Sequence, residues 1–211
     1  MTRAHSHNGA NVRGSKARKP TTSRSRSTHP LSADWLKDFL SEMLAVEKGG
    51  IKLYEKALGE LEHDEFEDKL NEFLDQTHRH VELCSQMLEM ACGDSEYISP
   101  GAEAADHKAE GLLSTEVPPH LVELNNMENL VLAETKDHWN WEMLGSVVRL
   151  IPDEELKHAA MKAVNEVRKQ EVSHVKWNEQ ILSKLAKELA TSPVDEESEE
   201  VESADASAED R

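Results

Sequence analysis

No stretch of about 18 consecutive apolar residues occurs in this chain, so nothing in it is expected to span a membrane. Cysteine is nearly absent. Cys84 and Cys92 fall eight positions apart on one predicted helix, about 12 Å by helical rise, too far for a disulfide between them. Free thiols suit a reducing compartment, and a cytoplasmic location is expected. No closely spaced cysteine pair of the zinc or rubredoxin type is present to carry electrons. Glycine and proline are also scarce, at nine and seven in 211 residues, and abundant Leu, Glu, Lys and Ala favour helix over sheet.

Charge is missing selectively at both ends. The first thirty residues hold no acidic side chain but seven basic ones, spread among Ser, Thr, Gly and Asn with no apolar run. Residues 1–30 are expected to form a disordered basic tail without a secretory signal, or else an organelle transit segment. From Thr191 onward nine acidic residues face only Arg211, and 191–211 is expected to be a disordered acidic tail. Between the tails, 33 acidic residues outnumber 16 basic ones, so the body of this chain of net charge −18 is acidic in its own right. Such a body repels nucleic acid, and contact with it is expected at most weakly through the basic tail.

Residues 31–190 read as one all-α domain, an antiparallel four-helix bundle with one long crossover. The first helix starts with Ser32 as N-cap and runs to about Leu61, carrying Leu36, Leu40, Met43, Glu47, Ile51, Tyr54 and Leu58 on one face. The second runs from about Asp64 to Cys92 and stops at Gly93, with Leu70, Phe73, Thr77, His80, Cys84, Met87 and Ala91 as its stripe. Residues 93–119, which include Pro100, Gly101, Gly111 and Pro118-Pro119, read as a connection long enough to cross the bundle. The third helix follows Pro119 and ends near Ile151-Pro152, with Met127, Leu130, Glu134, His138, Trp141 and Val148 on one face. The fourth runs from Asp153 to about Ala190. Its stripe is Leu156, Ala160, Ala163, Val167, Glu171, His174, Trp177, Ile181 and Leu185.

Each stripe is interrupted near its middle by polar residues: Glu47, Thr77 with His80, Glu134, and Glu171 with His174. Neither Lys nor Arg lies on these faces. Carboxylates converging on a core without a protein cation cost several kcal/mol each unless they are protonated, paired or bound to metal, and a pair of divalent ions is the simplest remedy. Protonated carboxylates or ordered water are the alternatives, and His80 alone would suit a hydrogen-bonded core histidine. Two further Glu-x-x-His spacings, Glu60/His63 near a helix end and Glu155/His158 just after Pro152, read as surface.

These residues resemble the ferritin-like superfamily of di-iron carboxylate proteins, of rubrerythrin or bacterioferritin type. There, one Glu from each of two helices and Glu-x-x-His from each of the other two hold two ions. The halves of the chain also resemble each other: Gln76 to Val81 aligns with Gln170 to Val175, and Tyr54 follows Glu47 by seven residues as Trp141 follows Glu134. The resemblance implies Glu47, His80, Glu134, Glu171 and His174 as metal ligands, two irons or alternatively manganese, with Glu171 bridging. It implies oxidoreductase chemistry of ferroxidase or peroxidase type, an external electron donor and a monomer or homodimer rather than a storage cage. One position departs: Thr77 stands where the family's second-helix Glu should bridge the ions. Gln76, Asp75 or His138 are candidates to fill the gap, and Asp75 with His78 is the alternative phase. A non-catalytic bundle acting as a structural or partner-binding module is the competing expectation. A hemerythrin-type oxygen carrier fits less well, because only His78/Glu82 has its spacing and no His-x-x-x-His occurs.

Overall fold

The structure, a computed structural model, describes residues 31–191; the basic segment and the acidic segment from 192 onward lie outside the described residues. Helix α1 (Ala33–Gly59) opens where Ser32 leaves helical geometry and its hydroxyl accepts the Trp35 backbone N–H. That contact satisfies one of the first-turn donors that have no partner within the helix. After a 3-10 turn at Asp64–Phe66, α2 (Glu67–Cys92) runs back antiparallel to α1. It ends at Gly93, whose φ of 73° lies in the left-handed region where a side chain is strained and where its N–H reaches the Glu89 carbonyl.

The crossover contains a helix that hydrophobic periodicity does not predict. Helix α3 (Pro100–Leu113) is capped by Ser99, whose hydroxyl accepts the Ala102 N–H, with proline in the first turn where its missing N–H costs nothing. It lies along α1 in parallel orientation: Gly101 stands beside Glu42 and Ala109 beside Gly49. The connection therefore does cross the length of the bundle, mostly as helix. Its buried face is only Ala102 and Ala109, too small an apolar signal to show through the neighbouring glycines and prolines.

Helix α4 (Val122–Val147) descends antiparallel to α1 and continues through a 3-10 turn at Val148–Leu150. Helix α5 (Glu154–Thr191) then rises beside it, its first turn capped by Asp153, which accepts the Leu156 N–H at 2.8 Å. The four long helices form two antiparallel hairpins joined by the α3 crossover.

Their apolar faces do not make one continuous core. A lower cluster gathers Leu40, Met43, Cys84, Met87, Trp141, Leu144 and Val167, and an upper one gathers Tyr54, Leu70, Phe73, Met127, Leu130 and Leu185. Between these two apolar layers lies a polar one. Among the described residues no helix is long and apolar enough to cross a membrane.

Candidate metal centre

The polar layer holds every stripe residue expected there. Glu47, His80, Glu134, Glu171 and His174 are each at most 3 % exposed. They form two groups: Glu47 and His80 with Asp137, and Glu134 with Glu171 and His174. In each group three potential ligand atoms lie within 4.8 Å of one another. The oxygen Oε1 of Glu171 is 3.2 Å from His80 Nδ1 and 3.5 Å from His174 Nδ1, so this carboxylate stands between the groups.

Asp137 is the residue the sequence reading missed. A stripe from Glu134 to His138 was expected on α4, but one run of its buried positions advances by alternating steps of three and four: 127, 130, 134, 137, 141, 144. His138 turns partly outward and stays off the site, packing its ring edgewise on Trp139. Trp139 is 60 % exposed for the same reason, while Trp141 is fully buried. The three-four alternation from Met127 was the available signal.

Asp137 also resolves the charge inventory. The layer holds four carboxylates, Glu47, Glu134, Asp137 and Glu171, and two histidines, His80 and His174, while α2 contributes Thr77 and no carboxylate. The pseudo-equivalent of Asp137 in the first half is Gly50, and a Cβ placed there would lie 3.6 Å from Thr77 Cγ2. One side of the polar layer is thus carboxylate-rich and the other is small and neutral. Thr77 is turned from ligand duty, since its hydroxyl donates to the Phe73 carbonyl at 2.9 Å.

The repeat seen in the sequence acquires a physical meaning in the reciprocal contacts around the layer. The Nε2 of His80 lies 2.9 Å from the Gln170 amide oxygen, and that of His174 lies 2.8 Å from the Gln76 oxygen, each glutamine coming from the opposite helix. With Nε2–H donating to the amide oxygen, each imidazole turns Nδ1 toward the carboxylates, the arrangement by which outer groups orient a ligating histidine. Gln76 was a candidate to fill the Thr77 gap; it holds His174 instead. The aromatic at seven residues from each α1 or α4 glutamate also crosses over. Trp141 donates its indole N–H to Glu47 Oε1 at 2.7 Å. Tyr54, held by the Asn178 amide, sits beside Glu134.

Several polar atoms of the layer lack a hydrogen-bond partner although fully buried: Glu47 Oε2, His80 Nδ1, Asp137 Oδ1 and both oxygens of Glu171. Buried polar groups are almost always satisfied, and five orphans in one layer need a common explanation. The electrostatics point the same way. Burial, with the charges of Glu47, Glu171 and Glu134, pushes the Asp137 carboxyl well above its usual range. Burial and Glu134 raise Glu171 to about 7 against the pull of His80. Burial alone would keep the His80 imidazole neutral, but Glu171 and Glu47 outweigh it and raise it to about 11. Tyr54 is driven up by burial and the Glu134 charge, so it stays a phenol. Two divalent cations would balance four ionised carboxylates and give every orphan a partner. The donors are oxygen and imidazole nitrogen, a set that suits iron, manganese or zinc ions.

The other expected alternatives fall outside the layer. Asp75 and His78 are exposed on α2, which removes the alternative phase, and Glu155 and His158 are exposed on α5. His63 pairs with Glu123 at 2.6 Å at the end of the bundle. The free thiol Cys84 is buried beneath the site and Cys92 is exposed. No family model, no curated protein and no solved structure matches this chain.

Proposed function

We propose that this protein is a ferritin-like dinuclear metal protein that binds two irons, or manganese in their place, and reacts with oxygen or peroxide or oxidises ferrous iron. The supporting observation is the convergence of five buried atoms without a hydrogen bond, from Glu47, His80, Asp137 and Glu171, in a layer sealed above and below by apolar side chains. Glu47, His80 and Asp137 would hold one ion, Glu134 and His174 the other, and Glu171 would reach both. Bound iron would supply one-electron chemistry with oxygen or peroxide.

The chain's own residues set the conditions for that chemistry. Gln170 and Gln76 fix the imidazole faces, Trp141 fixes Glu47, and the apolar layers exclude water, so the carboxylates meet little reorganisation. Tyr54 keeps its proton beside Glu134. Cys84 and Cys92 form no redox pair, so an external electron donor belongs to this reading, as does a reducing, cytoplasmic setting. A homodimer is part of it as well: Leu132, Trp139 and Met143 leave an apolar stripe on the outer face of α4.

The test is elemental analysis of protein reconstituted with ferrous iron under nitrogen, then exposed to oxygen while near-ultraviolet absorbance is followed. Two irons per chain and a ferric charge-transfer band are expected. No bound metal, with melting unchanged on its addition, would leave the second reading, a non-catalytic bundle acting as a partner-binding module. That reading draws on Thr77, a small residue bonded to its own helix where a bridging carboxylate is expected.

A further inference from the structure

On the neutral side of the polar layer, α3 does not close fully over the bundle. It comes close to α1 where Ala109 meets Gly49, near enough that a Cβ on Gly49 would lie 2.9 Å from that of Ala109. On either side of this contact the walls are Gly50, Ala105, Leu112 and Leu132, and they leave a groove of about 640 Å³ between α1, α3 and α4. That volume falls within the roughly 300–1,000 Å³ of small-molecule sites. From Gly101 to Leu112 its length is about 16 Å by helical rise. The surface is mostly apolar, and Gly49, Gly50, Gly101, Ala104, Ala105 and Ala109 make much of its wall.

The charges on the groove are opposite to those of the chain. In a molecule of net charge −18, the charged residues lining it are Glu42, Lys108 and Lys136. Glu42 is neutralised by Lys136 at 2.7 Å, and Lys108 has no ion-pair partner among the described residues. A long apolar trough with one unneutralised ammonium at its rim matches a flexible apolar chain ending in an anion.

We propose that this groove binds an anionic amphiphile, a single alkyl chain bearing a carboxylate, with Lys108 meeting the head group and the Gly/Ala walls meeting the chain. The floor at Gly50 abuts Thr77, so the bound chain lies one residue from the polar layer. Binding itself requires no metal, and the proposal stands or falls separately from the metal reading.

The experiment is calorimetric titration of the full chain, in chelator, with dodecanoate below its micellar range and with dodecanol as the uncharged probe. One dodecanoate per chain is expected. Ala105→Phe, which fills the trough, is expected to weaken both probes at least tenfold with helicity unchanged by circular dichroism. Lys108→Glu, an exposed change that leaves the core alone, is expected to weaken dodecanoate about fivefold, the upper range for an exposed ion pair, and to leave dodecanol alone. Should Ala105→Phe fail to fold, the Lys108→Glu contrast between the two probes decides. No binding, binding indifferent to Ala105→Phe, or equal effects of Lys108→Glu on both probes overturns the proposal. So does sedimentation as a dimer that Ala105→Phe dissociates and dodecanoate does not, which would assign the groove to a second copy of the chain.

Discussion

Replacing Glu171 by glutamine separates a metal centre from a buried ion pair by the sign of its effect. In chelator the Glu171 carboxyl is raised from 4.5 to about 7, first by burial and then by Glu134. A carboxyl whose folded pKa exceeds its unfolded value destabilises nothing below the unfolded pKa and exerts its full penalty above the folded one. The shift corresponds to at most roughly 3 kcal/mol, an upper bound because Glu171 shares protons with its neighbours and His80 keeps Glu47 at 3.4 Å as a second partner. Glu171→Gln resembles the protonated form, so metal-free protein should melt higher by up to about 6–12 °C at pH 7.5. The gain should vanish at about pH 4.5. If the ion pair of Glu171 with His80 outweighed that penalty, the same change would instead cost up to roughly 3–5 kcal/mol by weakening the pairing of a buried cation. With ferrous or manganous ion at a hundredfold excess over Kd, each intact site adds about 2.7 kcal/mol. Wild type should then gain about 5–11 °C per site, and Glu171→Gln should lose most of that gain. Scanning calorimetry across pH, with and without metal, reads both effects. A variant that melts lower in chelator, beside a wild type indifferent to metal, would refute the reasoning.

Three further outcomes follow from other contacts. Asp137→Asn removes the carboxylate that α4 adds beside Glu47 and His80, and metal content should fall from two ions per chain toward one while circular dichroism stays unchanged; full retention of two would deny Asp137 a ligand role. Gln170→Leu frees His80 Nε2 without touching the carboxylates, and metal affinity should drop about 10–100-fold, the usual effect of losing an outer partner, as read by competition with a colorimetric chelator. His63 is raised above 6.5 first by its hydrogen bond to Glu123, with Glu65 and Glu188 adding to it. Its contribution is complete below pH 6.5 and is lost as pH climbs through the raised value. Urea midpoints should therefore decline over that window in wild type and lose this component in His63→Gln.

The helices were legible because their ends and faces are written locally. Ser32, Gly93, Pro119 and Asp153 mark boundaries through backbone groups that only a few residue types can satisfy, and Glu47, His80, Glu134, Glu171 and His174 stand out as polar breaks in periodic apolar faces. Helix α3 was not legible. It buries two alanines and sits among glycines and prolines, so hydrophobic periodicity had almost nothing to register. Asp137 was missed by one step of phase, because a face read as 134 to 138 and one read as 134 to 137 differ by about 100° of rotation.

The sequence by itself determined four long helices, their antiparallel hairpins and a set of polar residues with no Lys or Arg on the same faces, since turn chemistry and the 3.6-residue period depend on near neighbours. Only the tertiary structure decided which side chains meet. That Asp137 stands with Glu47 and His80, that Gln170 holds His80 while Gln76 holds His174, and that Trp141 reaches Glu47 are pairings between residues 57 to 98 positions apart. Their distances follow from how two hairpins are rotated against each other, a quantity that no single helix carries in its own pattern.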